Sequence, residues 1–523
     1  MLPVFTAEEM RRLDRRAIDE LQIPSATLME NAGSGAARVI LAHFGSQRRK
    51  RVLICCGKGN NGGDGFVVAR RLKAAGAAVS VVLVGRAAEV KGDPKKMLAA
   101  YRRVGGTIRE VARESELGLL EKALASADLV VDALLGTGLS GPASGLHAAA
   151  IELLNRSGKP VAALDLPSGL SGDHGRLLGP TVSATLTATF AGWKRGLLLH
   201  PGAARAGRVR RVEIGIADPA TREGIEVFLL EAADIVPRFP PRDPDAHKGA
   251  FGHLLVVAGS WGKTGAAALA GRAALRTGAG LVTIASPASQ QPIIAALGME
   301  TMTEPLPETA SGSASLGAKG RILELVGRTD AVALGPGLGL DAETQSLVRE
   351  LIAEVERPMV VDADGLTALA GHLELLRKAP APRCLTPHPG EMARLLGRSA
   401  AEVQADRIEV VRSFCQRHGV FLVLKGARSV VGEPGGKSYL NPTGNPGMAS
   451  GGSGDVLTGM VGALLARGME PLGALQAAVY LHGLAGDLAR EERGEEGLIA
   501  GDVLEAIPAA ILEVQRGGGH PAV

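Results

Sequence analysis

Short apolar runs, each closed by a glycine- or proline-rich stretch and followed by a segment of helical period, recur along the whole chain. "RVLICC" (51–56) runs into "GKGNNGGDG", and "FVVARRLKAAG" behind it has the spacing of a helix. "AAVSVVLVG", "ADLVVDALLGTG" and "KPVAALDLPSG" predict three more strands with turn residues at their carboxyl ends, and "ATLTATFAGWKRGLLL" and "RVRRVEIGI" predict others. Uninterrupted apolar strands alternating with helices predict a mostly parallel sheet covered on both faces, which receives ligands at the carboxyl ends of its strands. Ahead of them "FTAEEMRRLDRRAIDE" predicts an opening helix, with Thr6 and Glu9 spaced for a capping box.

The alternation stops in "PRFPPRDPDAHKGAFG" (237–252), dense in proline and charge, and then starts afresh. "HLLVVAGS", "LVTIASP", "AVALGPGLG", "PMVVDADGLTAL", "RCLTPHPGEMARLL" and "VFLVLKGARSVV" predict a second parallel sheet, with a small-residue helix from Lys263 to Thr277 and a long apolar helix behind "GMASGGSGDVLTG" (447–459). A length of 523 residues exceeds one hydrophobic core. Two α/β domains are therefore expected, over 1–225 and 241–510, with a linker at 226–240. No fixed-period repeat is present.

Composition narrows the functional classes. With 58 Lys and Arg against 54 Asp and Glu, the formal charge of +4 is spread over a large surface, and aromatics make up 3%. Clusters such as "QRRKR" (47–51) and "RVRR" (208–211) read as solvent-facing helix ends or strand edges, and nucleic acid is not an expected partner. Four cysteines, two of them adjacent at Cys55 and Cys56, fit neither zinc spacing nor a disulfide framework and read as reduced, buried thiols. The N-terminus turns charged too early for a secretory signal, and no apolar run is long enough to span a bilayer. A cytoplasmic protein with no membrane partner is expected.

The 71 glycines, about twice the usual share, concentrate where chemistry is expected. "GSWGKTG" has too few residues between Gly259 and Gly262 for a P-loop. "GKGNNG" fits a dinucleotide fingerprint by letter, but Asn60, Asn61 and Asp64 crowd a motif that works by leaving the pyrophosphate uncovered. Three strand ends in the first domain instead carry polar groups: Asn60, Asn61 and Asp64, then Asp132, then Asp165 with Ser168. Carboxylate and amide oxygens converging above a sheet suit a cation, and bare loop N–H groups suit phosphate. In the second domain "GGSGD" puts Asp455 at a helix start, where it is placed to take a proton from a hydroxyl. Lys425 and Arg428 of "LKGARSVV" suit phosphates, His388 sits between two prolines, and "LGPGLG" offers backbone donors.

"LMENAG" (28–33), "GKGNNGGDG", "VDALLGTGLSG" and "LDLPSGL" resemble the N-terminal domain of the bifunctional NAD(P)H-hydrate repair enzymes, and "GNPGMASGGSGDVLTG" (444–459) with "TPHPGE" resembles their C-terminal dehydratase domain. The resemblance implies two three-layer αβα domains, the first Rossmann-like and the second ribokinase-like. It implies epimerisation of the R and S hydrates of NADH and NADPH at C6, and ADP-dependent dehydration of the S hydrate, with release of AMP and phosphate. Hydrate-binding positions fall on Asn60, Asn61, Gly62, Gly63 and Asp64, on Gly136, Thr137, Gly138, Leu139, Ser140, Gly141 and Pro142, and on Asp165. The potassium ligands fall on Asn61, Asp132 and Ser168. In the dehydratase, hydrate positions fall on Ala266, Gly337, His388 and Asp455, and adenine-nucleotide positions on Lys425, Gly426, Ala427, Arg428, Ser429 and Gly454. Asp165 and Asp455 are the implied acid/base residues, with Asp132 the alternative to Asp165. The implied cofactors are K+ in the first domain and Mg2+ in the second, with ADP as phosphoryl donor, and the assembly a homo-oligomer, tetrameric or larger. A ribokinase-like kinase of small molecules and a non-catalytic dinucleotide-binding protein are the competing readings.

Overall fold

The computed structural model describes residues 1–139, 141–216 and 222–518. They form two compact units, Pro3–Ile225 and the chain from Glu226 onward together with Met1–Leu2.

The first unit is built on a seven-stranded sheet. Its strands are β2 (Arg51–Cys56), β3 (Ala78–Val84), β4 (Ile108–Val111), β5 (Leu129–Ala133), β6 (Val161–Leu164), β7 (Leu186–Phe190) and β9 (Arg208–Val212). They lie in the order β4-β3-β2-β5-β6-β7-β9 and every pairing is parallel. A further short pairing joins β1 (Leu2–Phe5) to β8 (Trp193–Lys194), with Phe5 opposite Lys194. The winding direction reverses between β2 and β5, so the loops after these two strands part and leave a crevice at their carboxyl ends. "RVRR" lies on edge strand β9, as its charge pattern suggests. Thr6 and Glu9 form the expected capping box of the helix Ala7–Asp19.

One local expectation fails here. "NNGGDG" is not a bare loop: it forms the opening turns of a helix running from Asn60 to Ala74. Its glycines serve close packing. A Cβ on Gly62 would stand 1.9 Å from the Gly57 carbonyl oxygen, and one on Gly65 would stand 2.7 Å from the Ala133 Cβ. The helix thus presses against the loop after β2 and against β5, which brings Asn61 and Asp64 to the crevice on a rigid element.

The second unit carries β10 (Val227–Leu229), β11 (His253–Val257), β12 (Leu281–Pro287), β13 (Met302–Leu306), β14 (Ala331–Leu334), β15 (Met359–Val361), β16 (Arg383–Leu385), β17 (Phe421–Leu424), β18 (Val430–Gly432) and β19 (Ser438–Leu440). The order β13-β12-β11-β14-β15-β16-β17 is parallel throughout; β17, β18 and β19 pair antiparallel, and β10 lies parallel to β19. Here the winding reverses between β11 and β14, which opens a second crevice. The helix Ser453–Ala466 is buried along most of its length. A Cβ on its Gly459 would meet the Ala270 carbonyl oxygen at 2.1 Å, so it packs backbone to backbone against the helix Thr264–Thr277.

The stretch 226–240, expected as a linker, is instead part of this unit. β10 pairs with β19, and Leu230, Ile235 and Phe239 join the buried core. "VFLL" is too short for its periodicity to register, and prolines just beyond it mask its role. All four cysteines are free and buried.

Candidate active sites

In the first unit a cavity of about 830 Å³ lies at the reversal point. Asn60, Asn61 and Asp64 of the glycine-rich helix line it, with Gly136, Thr137, Gly138, Leu139, Gly141 and Pro142 after β5 and Asp165 after β6. Ser140 lies outside the described residues. Gly62 and Gly63 are buried in helix packing. Asp165 has φ +65°, a left-handed conformation that costs a non-glycine residue about 1 kcal/mol or more. The Asp165 Oδ1 accepts from the Lys194 Nζ at 2.5 Å and from the Phe190 N–H at 3.2 Å. Lys194 is fully buried, and its ammonium also donates to the Thr189 hydroxyl (3.0 Å) and the Phe190 carbonyl (2.6 Å). The lysine thus fixes one carboxylate oxygen of a residue that lines the cavity.

Two further carboxyls share this space. Burial, with the nearby charges of Asp165 and Asp14, holds the Asp64 carboxyl well above its ordinary range. Asp14, on the helix Ala7–Asp19, lines the same cavity. It is open to the cavity but ringed by its walls, and desolvation together with the Asp165 charge pushes its carboxyl up to about 6 against the pull of Lys194. Asp14 and Lys194 escaped the sequence reading: within "RRLDRRAID" the aspartate looks like any solvated helical charge, and "GWKRG" carries no strand-end acid.

Asp132 does not reach the cavity. It is fully buried beneath it, accepting from the Ser168 hydroxyl (2.6 Å), the Ser168 N–H (2.8 Å) and the Leu134 N–H (3.2 Å). Desolvation raises its carboxyl to about 6 despite these bonds. Asn61 donates its amide to the Leu135 carbonyl at 2.9 Å, and among the described residues its buried Oδ1 has no hydrogen-bond partner. A buried, orphaned amide oxygen in a region that also holds a buried carboxylate and a serine hydroxyl is a donor set for a hard, weakly held cation.

In the second unit the sequence-expected residues converge on the reversal between β11 and β14. Gly337 has φ +63°, and a Cβ there would stand 3.1 Å from the Ala266 Cβ, so these two positions are in contact. Asp455 lies in the first turn of the helix Ser453–Ala466, whose N-cap is Gly452. Desolvation first, then the charges of Asp362, Asp364 and Glu391, push its carboxyl up to about 6 against the pull of Lys425. The Lys425 Nζ bonds the buried Asp362 Oδ1 at 2.7 Å, and the Thr458 hydroxyl donates to Asp362 Oδ2 at 2.7 Å. Burial alone would lower the Lys425 ammonium, but Asp362 and Glu391 carry it above its ordinary value. A Cβ on Gly454 would lie 3.2 Å from the Lys425 Nζ, which places the lysine at the open end of the helix.

His388 caps the helix Pro389–Leu396, its Nδ1 accepting from the N–H groups of Gly390 (3.0 Å) and Glu391 (3.3 Å). Its hydrogen is therefore on Nε2, in an exposed ring. Arg428, by contrast, turns away from Lys425: its guanidinium bonds the Pro442 carbonyl and feels the charge of Asp487. The Ser429 hydroxyl donates to the Gly426 carbonyl at 3.1 Å. Asp362 and Asp364 were legible as strand-end acids in "MVVDADG" but were passed over. Asp364 accepts from the Lys263 Nζ (3.0 Å) and the Gly339 N–H (2.8 Å), tying the loops after β11 and β14 to that after β15. His482, deep beneath the Ser453 hydroxyl at 3.4 Å, was also missed; burial lowers its ring to about 4 and keeps it neutral.

Comparison with known proteins agrees with this division. A family profile described as YjeF-related protein N-terminus matches residues 25–196, and one described as NAD(P)H-hydrate dehydratase matches residues 254–509. A Moorella thermoacetica protein named bifunctional NAD(P)H-hydrate repair enzyme Nnr is 47% identical over 515 residues, covering 98% of this chain and 97% of its own. A protein of the same name from Thermofilum pendens is 41% identical with the same coverage. Among solved structures, an ADP/ATP-dependent NAD(P)H-hydrate dehydratase from Bacillus subtilis, co-crystallized with ATP and Mg2+, is 32% identical over 55% of this chain and 99% of that one, with a TM-score of 0.48. The chain belongs to the family of bifunctional NAD(P)H-hydrate repair enzymes.

Proposed function

We propose that the first unit inverts the hydroxylated C6 of hydrated NADH and NADPH and that the second removes the hydroxyl at the expense of a nucleotide. The observation that carries the reading is the presence, on one chain of this family, of two carboxylate clusters, one lining the cavity at the reversal point of the first sheet and one, Asp362, Asp364, Glu391 and Asp455, gathered with Lys425 in the second unit. In the first unit Asp165 is the residue assigned to the reacting carbon, because it reaches the cavity and Asp132 does not. Its carboxylate, oriented by Lys194, moves a proton at the C6 hydroxyl and stabilises a cationic ring. Asn61, Asp132 and Ser168 hold K+ in this reading, supported by the orphaned Asn61 Oδ1. The ion supplies fixed positive charge that steadies the loops after β5 and β6 and offsets the buried Asp132 carboxylate.

In the second unit Asp455 takes the proton of the C6 hydroxyl as that oxygen accepts the terminal phosphoryl of ADP and AMP is released; phosphate then leaves C6 with its bonding pair, C5 loses a proton to water, and the C5=C6 double bond reforms. Gly454 and the helix start offer N–H donors to the phosphates, and Lys425, held by Asp362, offers charge. The hydrate occupies the Ala266, Gly337 and His388 side. Mg2+ bound with the nucleotide would neutralise charge on its phosphate oxygens. Arg428 contributes through the backbone of its loop, since its side chain is engaged elsewhere. A kinase of small alcohols is the weaker reading because it leaves the first unit without a role. The test is recovery of dihydronicotinamide absorbance when the chain is mixed with NADH hydrate, ADP and Mg2+. Nucleotide consumption that leaves a stable phosphorylated product would favour the kinase.

A further inference from the structure

Inversion at C6 poses a problem that one carboxylate does not solve. The hydroxyl must leave one face of C6 with a proton and water must return to the other face with the loss of one, so the site needs a proton donor on one face and a proton acceptor on the other. Asp165 has one oxygen accepting from Lys194 and Phe190, a setting that suits an accepting role. Lys194 lines the same cavity, but its three N–H groups are committed to Asp165, Thr189 and Phe190, so it is a holder of Asp165 and not a donor to the substrate.

Of the two further carboxyls that line the cavity, Asp64 is buried and Asp14 is exposed to it, so Asp14 is the one open to a bound hydrate and supplies the other half. It lines the cavity from the helix Ala7–Asp19, close enough to Asp165 and Lys194 to feel both charges, and no protein donor to its carboxyl is found among the described residues. It also lies outside the 25–196 stretch that the family profile matches. We propose that Asp14 is a second catalytic residue of the epimerase site, the general acid that protonates the departing C6 hydroxyl while Asp165 accepts the proton of the incoming water. The inference rests on the epimerase reading above.

The step balances as follows. The C6–O bond breaks with its electron pair going to oxygen, the Asp14 proton completes a water molecule, and the ring-nitrogen lone pair forms the N1=C6 bond of a cationic iminium. Water then adds to the other face of C6 and gives a proton to Asp165 while the N1=C6 pair returns to nitrogen. Proton exchange with solvent resets the two carboxyls, and the reverse inversion uses the same steps in the opposite order. The desolvation that lifts the Asp14 carboxyl to about 6 keeps a share of it protonated near neutrality, which is what the acid role requires.

The experiment follows pure R hydrate by chiral separation, in ordinary water and in 18O-water. The wild-type chain should gain one 18O at C6 with each inversion. Asp14→Asn should lose at least about 100-fold in kcat for inversion with KM kept, and its ADP-dependent dehydration of S hydrate should match wild type. Inversion by wild type without 18O uptake would overturn the proposal without recourse to any variant. So would an Asp14→Asn rate within a few-fold of wild type, or a loss confined to KM. A wild-type chain that dehydrates S hydrate but never inverts R hydrate would overturn the epimerase reading itself, and this inference with it.

Discussion

Replacing Asp455 with asparagine should silence the dehydratase and at the same time make its unit more stable. The carboxyl is lifted from 3.8 to about 6 by burial and by three neighbouring acids. A native pKa above the unfolded one means that the folded state holds its proton more tightly. The contribution of this carboxyl to stability is therefore greatest below about pH 4, falls as pH rises from 3.8 to about 6, and is flat above that. At about 1.4 kcal/mol per unit the wild-type chain forgoes on the order of 3 kcal/mol at neutral pH, an upper bound because the mouth of the site is wet. Asparagine has nothing to ionise, so its unit should melt on the order of 5 °C higher at about pH 8, and the gain should shrink toward zero as pH falls to about 4. The rate should drop at least about 100-fold, and the acid limb near pH 6 in wild-type dehydration should vanish with it. Scanning calorimetry across this pH range, paired with single-turnover dehydration, measures both. An asparagine variant no more stable than wild type at about pH 8, or a rate within a few-fold, would refute the reasoning that burial poises Asp455 as the base.

Two other outcomes follow from the first unit. Potassium chloride, compared with a bulky monovalent salt at equal ionic strength, should raise its melting temperature, and Asn61→Ala should remove that difference because the orphaned Oδ1 is the proposed ligand; equal melting in both salts would exclude a bound K+. Gly62→Ala should destabilise the unit by about 2 kcal/mol or more, since its Cβ would meet a carbonyl oxygen at 1.9 Å, and denaturant melts should show it even without substrate.

The fold was legible where a strand is long and wholly apolar, as in "RVLICC" and "HLLVVAG", because a strand buried on both faces leaves no polar alternation to misread. It was illegible where partners far along the chain decide, as for β10, whose three residues are strand only because β19 lies beside them. The glycines of "NNGGDG" misled because a glycine that admits a ligand and a glycine that admits a neighbouring helix are identical in sequence. The strand-end rule found Asp132, Asp165 and the surroundings of Asp455. It gave Asp132 and Asp165 as alternatives, since only burial tells the carboxylate beneath the cavity from the one that lines it. Asp14 and His482 lie on helices, where composition alone gives no reason to single them out.

The central claim is that two independent sites on one chain divide the work, and complementation in trans tests it most directly. On racemic NADH hydrate with excess ADP and Mg2+, Asp165→Asn alone should restore about half of the dihydronicotinamide absorbance and then slow to the uncatalysed inversion rate, and Asp455→Asn alone should restore almost none. An equimolar mixture of the two variants should run to completion. Completion by either variant alone, or a mixture that stalls where Asp165→Asn stalls, would contradict the account.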